Sequence, residues 1–108
     1  MRKFVSELAE CTRNHKMIGN HHVDVYTRVC RNKHGVKRIQ WKEFTYYRTT
    51  ICCACDSEQI FAIDSSYGTR STTDACNSYR QYYTDKGYTE LFDMDVFIEY
   101  INKQLKEV

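Results

Sequence analysis

"VDVYTRVCRNKHGVKRIQWKEFTYYRTTICCACDSEQIFAID", residues 23 to 64, is the stretch on which the fold turns. Val23, Val25, Thr27 and Val29 alternate with Asp24, Tyr26, Arg28 and Cys30, the period of two expected of a half-buried strand. Asn32-Lys33-His34-Gly35 is a cluster of turn residues, with Gly35 free to take positive φ. "VKRIQW" then resumes an extended pattern with Ile39 and Trp41 on one face, so a β-hairpin is the simplest join. From Phe44 to Cys55 β-branched and aromatic residues crowd together, a turn follows at Asp56-Ser57-Glu58, and "IFAID" makes another strand. Residues 23 to 64 therefore predict an antiparallel meander of about four strands.

On the N-terminal side, Phe4, Val5, Leu8 and Cys11 fall at helical spacing within residues 3 to 13, and Gly19-Asn20 supplies a turn before the first strand. On the C-terminal side, Ala75, Cys76, Tyr79, Tyr82 and Tyr83 form one helical stripe that should end at Gly87. A last helix opens near Asp93, with Met94, Phe97, Ile98, Ile101, Leu105 and Val108 as its buried side, and Asp93 and Asp95 where the helix dipole favours negative charge. Strands and helices are segregated along the chain, which predicts an α+β fold: an antiparallel sheet with an N-terminal helix and two C-terminal helices packed on one face.

The 108 residues suit a single domain, residues 1 to 108, whose folding hides about two thirds of the unfolded surface. A hydrophobic fraction of 42% against 28% charged is that of a globular chain rather than a disordered one. No apolar run reaches the roughly 20 residues of a membrane helix, and "MRKFV" leads into charge rather than into a signal peptide, so a cytoplasmic protein with no membrane partner is expected. In a reducing compartment the six cysteines stay free, and the adjacent Cys52 and Cys53 point to opposite faces of any strand.

Residues 1 to 42 carry ten Lys/Arg against three acids, and residues 43 to 108 carry six against eleven, so the net charge of +2 conceals two halves of opposite sign. The sharpest feature is "RVCRNKHGVKRIQWK", which holds Arg28, Arg31, Lys33, Lys37, Arg38 and Lys42 together with Trp41 and no acid. A hairpin bearing them could follow phosphates by charge while Trp41 or Tyr26 stacks on a base. The plainer reading is a solvated, basic hairpin whose charges resist edge-to-edge pairing. A partner of acidic protein character is the other functional reading.

Cys11 and His15, Cys30 and His34, and Cys52, Cys53 and Cys55 offer zinc-type ligands, but the last three lie in an apolar strand-like run, where cysteine serves as a small buried hydrophobe. No nucleophile, base and orienting group can be assigned together, so no catalytic residue, metal ligand or cofactor is predicted. "SSYGTRSTTDAC", residues 65 to 76, reads as a variant capping box opening at Ser71 with Asp74 in the first turn, and Tyr67 packing beneath. Arg70 and Gly68 are what capping leaves over, and Arg70 joins the candidate binding residues as a contact for an anion or a partner.

The stretch from Phe44 to Tyr83 resembles a family of small accessory proteins of tailed bacteriophages. Its members have an aromatic-Tyr-x-Thr-x-Ile strand, matched by Tyr46, Tyr47, Thr49 and Ile51, and a tyrosine turn entering a helix, matched by Tyr67, Ser71, Thr72, Thr73 and Asn77. The family turn often has a serine after the tyrosine and a histidine within the helix; here stand Gly68 and no histidine between residues 66 and 92. The resemblance implies a non-enzymatic protein that binds a host or viral macromolecule in the host cytoplasm, either a nucleic acid or a host enzyme or defence complex that it inhibits. No catalytic residue comes with it.

Overall fold

The computed structural model describes residues 3–64, 66 and 68–106, so the places expected for Tyr67 and Val108 lie outside the described residues. Three helices, α1 (Lys3–Ala9), α2 (Arg70–Asp85) and α3 (Met94–Lys106), accompany six strands: β1 (His15–Ile18), β2 (His21–Asn32), β3 (Gly35–Tyr46), β4 (Thr49–Cys55), β5 (Ile60–Ile63) and β6 (Thr89–Glu90). The strands form one sheet in sequence order, antiparallel from β1 to β5, with β6 parallel to β5. The α+β class holds. The predicted four-strand meander is the centre of this sheet, and a strand is added at each edge.

Two-residue turns set the register. Gly19, at φ 60, and Asn20 join β1 to β2, and Lys33-His34 closes β2 onto β3 with Asn32 opposite Gly35. The run expected as one strand from Phe44 to Cys55 is broken by a hairpin turn at Tyr47-Arg48, with Tyr46 opposite Thr49. Tyr47 sits at φ 56, a left-handed conformation that a bulky residue rarely adopts, so the turn lacks the glycine or asparagine that would have marked it in the sequence. Its N–H donates to the Asn20 carbonyl at 2.8 Å, tying this turn to the one between β1 and β2.

The helices do not share one face. Val5 and Leu8 of α1 and Ala75, Cys76, Tyr79, Tyr82 and Tyr83 of α2 pack with Val23, Phe44, Cys52, Ala54, Phe61 and Ile63. Phe97 and Ile101 of α3 pack with Ile39, Trp41, Cys53, Cys55, Ile60 and Ala62 in a second cluster on the other face. The prediction of one covered face is corrected by β4 and β5 themselves. All residues from Ile51 to Cys55 and from Ile60 to Ile63 are buried, so both faces of these strands need covering. Cys52 and Cys53 enter opposite clusters, as the strand period requires.

Local corrections follow from geometry. The first helix stops at Ala9, leaving Cys11 buried just beyond it. On α3 the buried stripe is Phe97 and Ile101, with Met94 and Leu105 packed beside it, while Ile98 turns outward. Asp93 does open this helix, its carboxylate accepting from the Val96 N–H at 2.9 Å. The cap of α2 is Thr69 rather than Ser71: its Oγ1 accepts from the Thr72 N–H at 3.3 Å and donates to the Thr72 hydroxyl at 2.7 Å. Asp74 consequently lies beyond the first turn, which holds no acid. At the other end Gly87, at φ 84, lets its N–H reach the Thr84 carbonyl and the Tyr88 N–H reach that of Tyr83, a Schellman closure.

Candidate nucleic-acid interface

β2 and β3 are each 12 residues long, yet β1 pairs with β2 only at His21–Asp24 and β4 pairs with β3 only from Lys42 to Tyr46. Val25 still donates its N–H to the Asn14 carbonyl at 2.8 Å, and beyond it Tyr26–Asn32 and Gly35–Trp41 pair only with each other, forming a two-stranded arm on a molecule 49 Å long and 27 Å wide. No Asp or Glu occurs between residues 25 and 42.

Strand alternation divides the arm's cations between two faces. Arg28 and Lys37 lie on the face that α3 leans against, donating to Asn102 Oδ1 at 3.0 Å and Gln104 Oε1 at 3.3 Å. Arg31 and Arg38 lie on the opposite face, interleaved with the exposed Val29 and Val36, and Lys33 stands at the tip. Among the described residues no carboxylate pairs with Arg31, Lys33 or Arg38. The α3 C-terminus adds Lys103 and Lys106 near the same end.

Two of the predicted site residues turn inward. Trp41 is 6% exposed beneath α3, its Nε1 donating to Glu43 at 3.0 Å, with Tyr26 stacked on it at 5.7 Å and the Arg28 guanidinium 5.8 Å above. Stacking on a base at this end therefore falls to the exposed Tyr26. Lys42 is 8% exposed and anchors the fold, donating to the Ala9 carbonyl at the end of α1 and to Asp56 Oδ2 at 3.0 Å. Arg70 is exposed at the first residue of α2, separated from the arm's base by that helix's 16 residues, about 24 Å.

At the base of the arm lies a cleft that the sequence reading missed. It has a volume of about 470 Å³ between the end of α1, the C-terminal turn of α2 and the open face of the arm. Val25, Gln40 and Lys42 line it from the sheet, Tyr82, Tyr83 and Lys86 from α2, and Asp56 and Tyr88 from the loops. The Asp56 carboxylate accepts from Lys42 and, at 2.8 Å, from the Tyr88 hydroxyl. Burial and this hydrogen bond raise the Tyr88 phenol above its ordinary value, and burial raises that of Tyr83. The Tyr83 side chain is 1% exposed, and its hydroxyl has no hydrogen-bond partner among the described residues. The signal that could have found the cleft is the lone Lys42 beside apolar strand residues, since a buried lysine needs a partner.

Elsewhere the chemistry is quiet. All six cysteines are free and five are buried. Desolvation pushes the Cys52 and Cys53 thiols up, so neither is a ready thiolate. His15 Nδ1 and His22 Nε2 approach the two oxygens of Asp24 at 2.7 and 3.4 Å, but among the described residues no group of three or more such side chains is placed to hold a metal ion. No helix among them is long and apolar enough to cross a membrane.

Fold and site define an α+β protein with a mixed six-stranded sheet and a projecting basic arm. Comparison with protein-family models, with curated proteins and with solved structures finds no match to this chain.

Proposed function

We propose that this chain is a non-enzymatic binding protein that holds a nucleic acid through the open face and tip of its arm. The observation that carries this reading is the grouping of Arg31, Lys33 and Arg38, with no acidic partner among the described residues, on a ribbon that stands clear of the sheet. Cations so displayed gain by releasing the counterions of a polyphosphate. Arg28 and Lys37, steadied by α3, strengthen the field without being the first point of contact. In keeping with the resemblance to tailed-phage accessory proteins, the place of action would be the cytoplasm of a host bacterium, with a host or viral nucleic acid as partner.

Fluorescence anisotropy with labelled DNA tests the reading. Binding weakens about tenfold or more between roughly 50 and 200 mM salt, and the Arg31→Glu, Lys33→Glu double variant loses it with an unchanged fold. Binding that ignores salt, or no binding at low salt, sinks the proposal.

A second reading is inhibition of a host enzyme or defence complex by protein contact through aromatic residues such as Trp41, Tyr46, Tyr47 and Tyr79, and of these Tyr47 is the exposed one. Trp41 and Tyr79 are buried and Tyr46 is half-buried, whereas Tyr47 (61% exposed) and Met17 (60%) flank a cleft of about 520 Å³. Phe92 is 90% exposed beyond β6. A stoichiometric partner that survives nuclease treatment in a pull-down, and is lost on Tyr47→Ser, supports this reading; a catch that disappears with nuclease removes it.

A further inference from the structure

The arm's open face does not end at the sheet but runs into the cleft. Its cross-strand pairs follow in rows from tip to base: Arg31 with Val36, Val29 with Arg38, Thr27 with Gln40, Val25 with Lys42. Successive rows are about 7 Å apart, and Gln40, Val25 and Lys42 of the last two form the cleft's sheet-side lining. Cations therefore occupy the outer rows, and an open, partly aromatic cleft lies at their end.

The two zones differ in charge. The outer rows carry only positive side chains, whereas the cleft balances Lys42 and Lys86 against Glu10 and Asp56. A phosphate is favoured on the rows and gains little in the cleft. What suits the cleft is flat, uncharged and able both to give and to accept hydrogen bonds. Tyr82, Tyr83 and Tyr88 offer aromatic surface, with the Lys86 ammonium 5.0 Å over the Tyr82 ring. The Gln40 amide donates to Thr27 Oγ1 at 3.2 Å, which leaves its oxygen able to accept. Asp56 accepts from Lys42 and Tyr88 and keeps further lone pairs, and Lys42 uses two of its three N–H groups. The hydroxyl of Tyr83, a residue that lines the cleft, is buried and has no hydrogen-bond partner among the described residues, and a buried donor left unmade is costly.

We infer that the cleft is a nucleobase site and that the ligand is single-stranded: phosphates lie along the rows of Arg31 and Arg38 while an unpaired base enters between Gln40 and the tyrosines. A base held in a duplex cannot leave its stack without a cost that a free strand does not bear. This inference rests on the arm reading proposed above and adds to it the strand type and the place where a base is read.

The test uses the full chain, a labelled single strand carrying 2-aminopurine, and the same sequence as a duplex. Single strand binds about tenfold more tightly than duplex, a ratio set by one stacked base, and 2-aminopurine fluorescence is quenched on binding. Thr12→Trp, at an exposed residue lining the cleft, fills the space without removing any buried group. It abolishes the quenching and the single-strand preference while leaving duplex affinity and melting temperature unchanged; Thr12→Ser keeps both. Equal binding of the two forms, without quenching, overturns the base site and leaves the arm reading standing. Failure to bind either form overturns both, and quenching that persists in Thr12→Trp places the base elsewhere and overturns the assignment to the cleft.

Discussion

Of the four hydroxyls in "TRSTT", residues 69 to 73, only that of Thr69 caps α2 by accepting from the helix backbone. The prediction is specific: Thr69→Ala costs about 1 kcal/mol, whereas Ser71→Ala, at an exposed helical position, stays within about 0.5 kcal/mol, both read from urea unfolding. The sequence reading found the capping region but misplaced its first residue by two. Any of these side chains can cap, and the choice is made by where the chain, leaving β5, first turns helical. Lys42 shows the same limit from the other side. Counted by charge it belongs to the basic hairpin, yet it is spent on Ala9 and Asp56. Lys42→Met therefore strands an acceptor at the end of α1 and destabilises by about 1–3 kcal/mol, with melting temperature as the readout.

Among the elements, each helix was legible from its own stripe, but the side of the sheet that each covers was not. That information lies in the strands: the unbroken apolar run from Ile51 to Cys55 has no polar face to offer water, and it calls for α3 opposite α1 and α2. Phe97→Ala should accordingly cost about 3–5 kcal/mol, as much as a core position on the α1 and α2 side, although it lies on the face expected to be bare. The β3–β4 turn escaped detection because Tyr47 belongs by composition to a strand and by backbone to a turn. The arm was legible as a basic hairpin; its reach past the sheet was not, since reach depends on where β1 and β4 stop pairing. Hydrogen exchange should see this directly. Amides of Tyr26–Asn32 and Gly35–Trp41 exchange faster than those of β4 and β5, which are flanked by neighbours on both sides.

Taken whole, the molecule packs buried phenols against one face of its sheet and sets three buried thiols, Cys52, Cys53 and Cys55, in β4. Burial raises Tyr79, Tyr83, Cys52 and Cys53, and burial with the Asp56 hydrogen bond raises Tyr88, above the values of 9.0 for a thiol and 10.0 for a phenol that the unfolded chain shows. Groups raised in this way contribute stability that is complete below those values and is lost as pH climbs past them. The melting temperature should be level near neutrality and fall steadily above about pH 9, with the buried phenols showing tyrosinate absorbance only as the protein unfolds. A level profile up to about pH 11 would contradict this burial.

The arm's geometry also governs how the molecule behaves in concentrated solution. From Tyr26 to Asn32 and from Gly35 to Trp41 no third strand lies alongside, so two rows of peptide groups face outward, ready to be continued by another chain. What holds two arms apart is the mutual repulsion of the same arginines and lysines that attract a polyanion. Reversing Arg31 and Lys33 to glutamate preserves a charged border, whereas neutralising them to alanine or valine bares the ribbon beside Val29 and Val36. Colloidal stability and ligand affinity thus draw on one set of charges: a ligand that neutralises them invites neighbouring ribbons to meet, and light scattering at substoichiometric and saturating DNA would register that meeting.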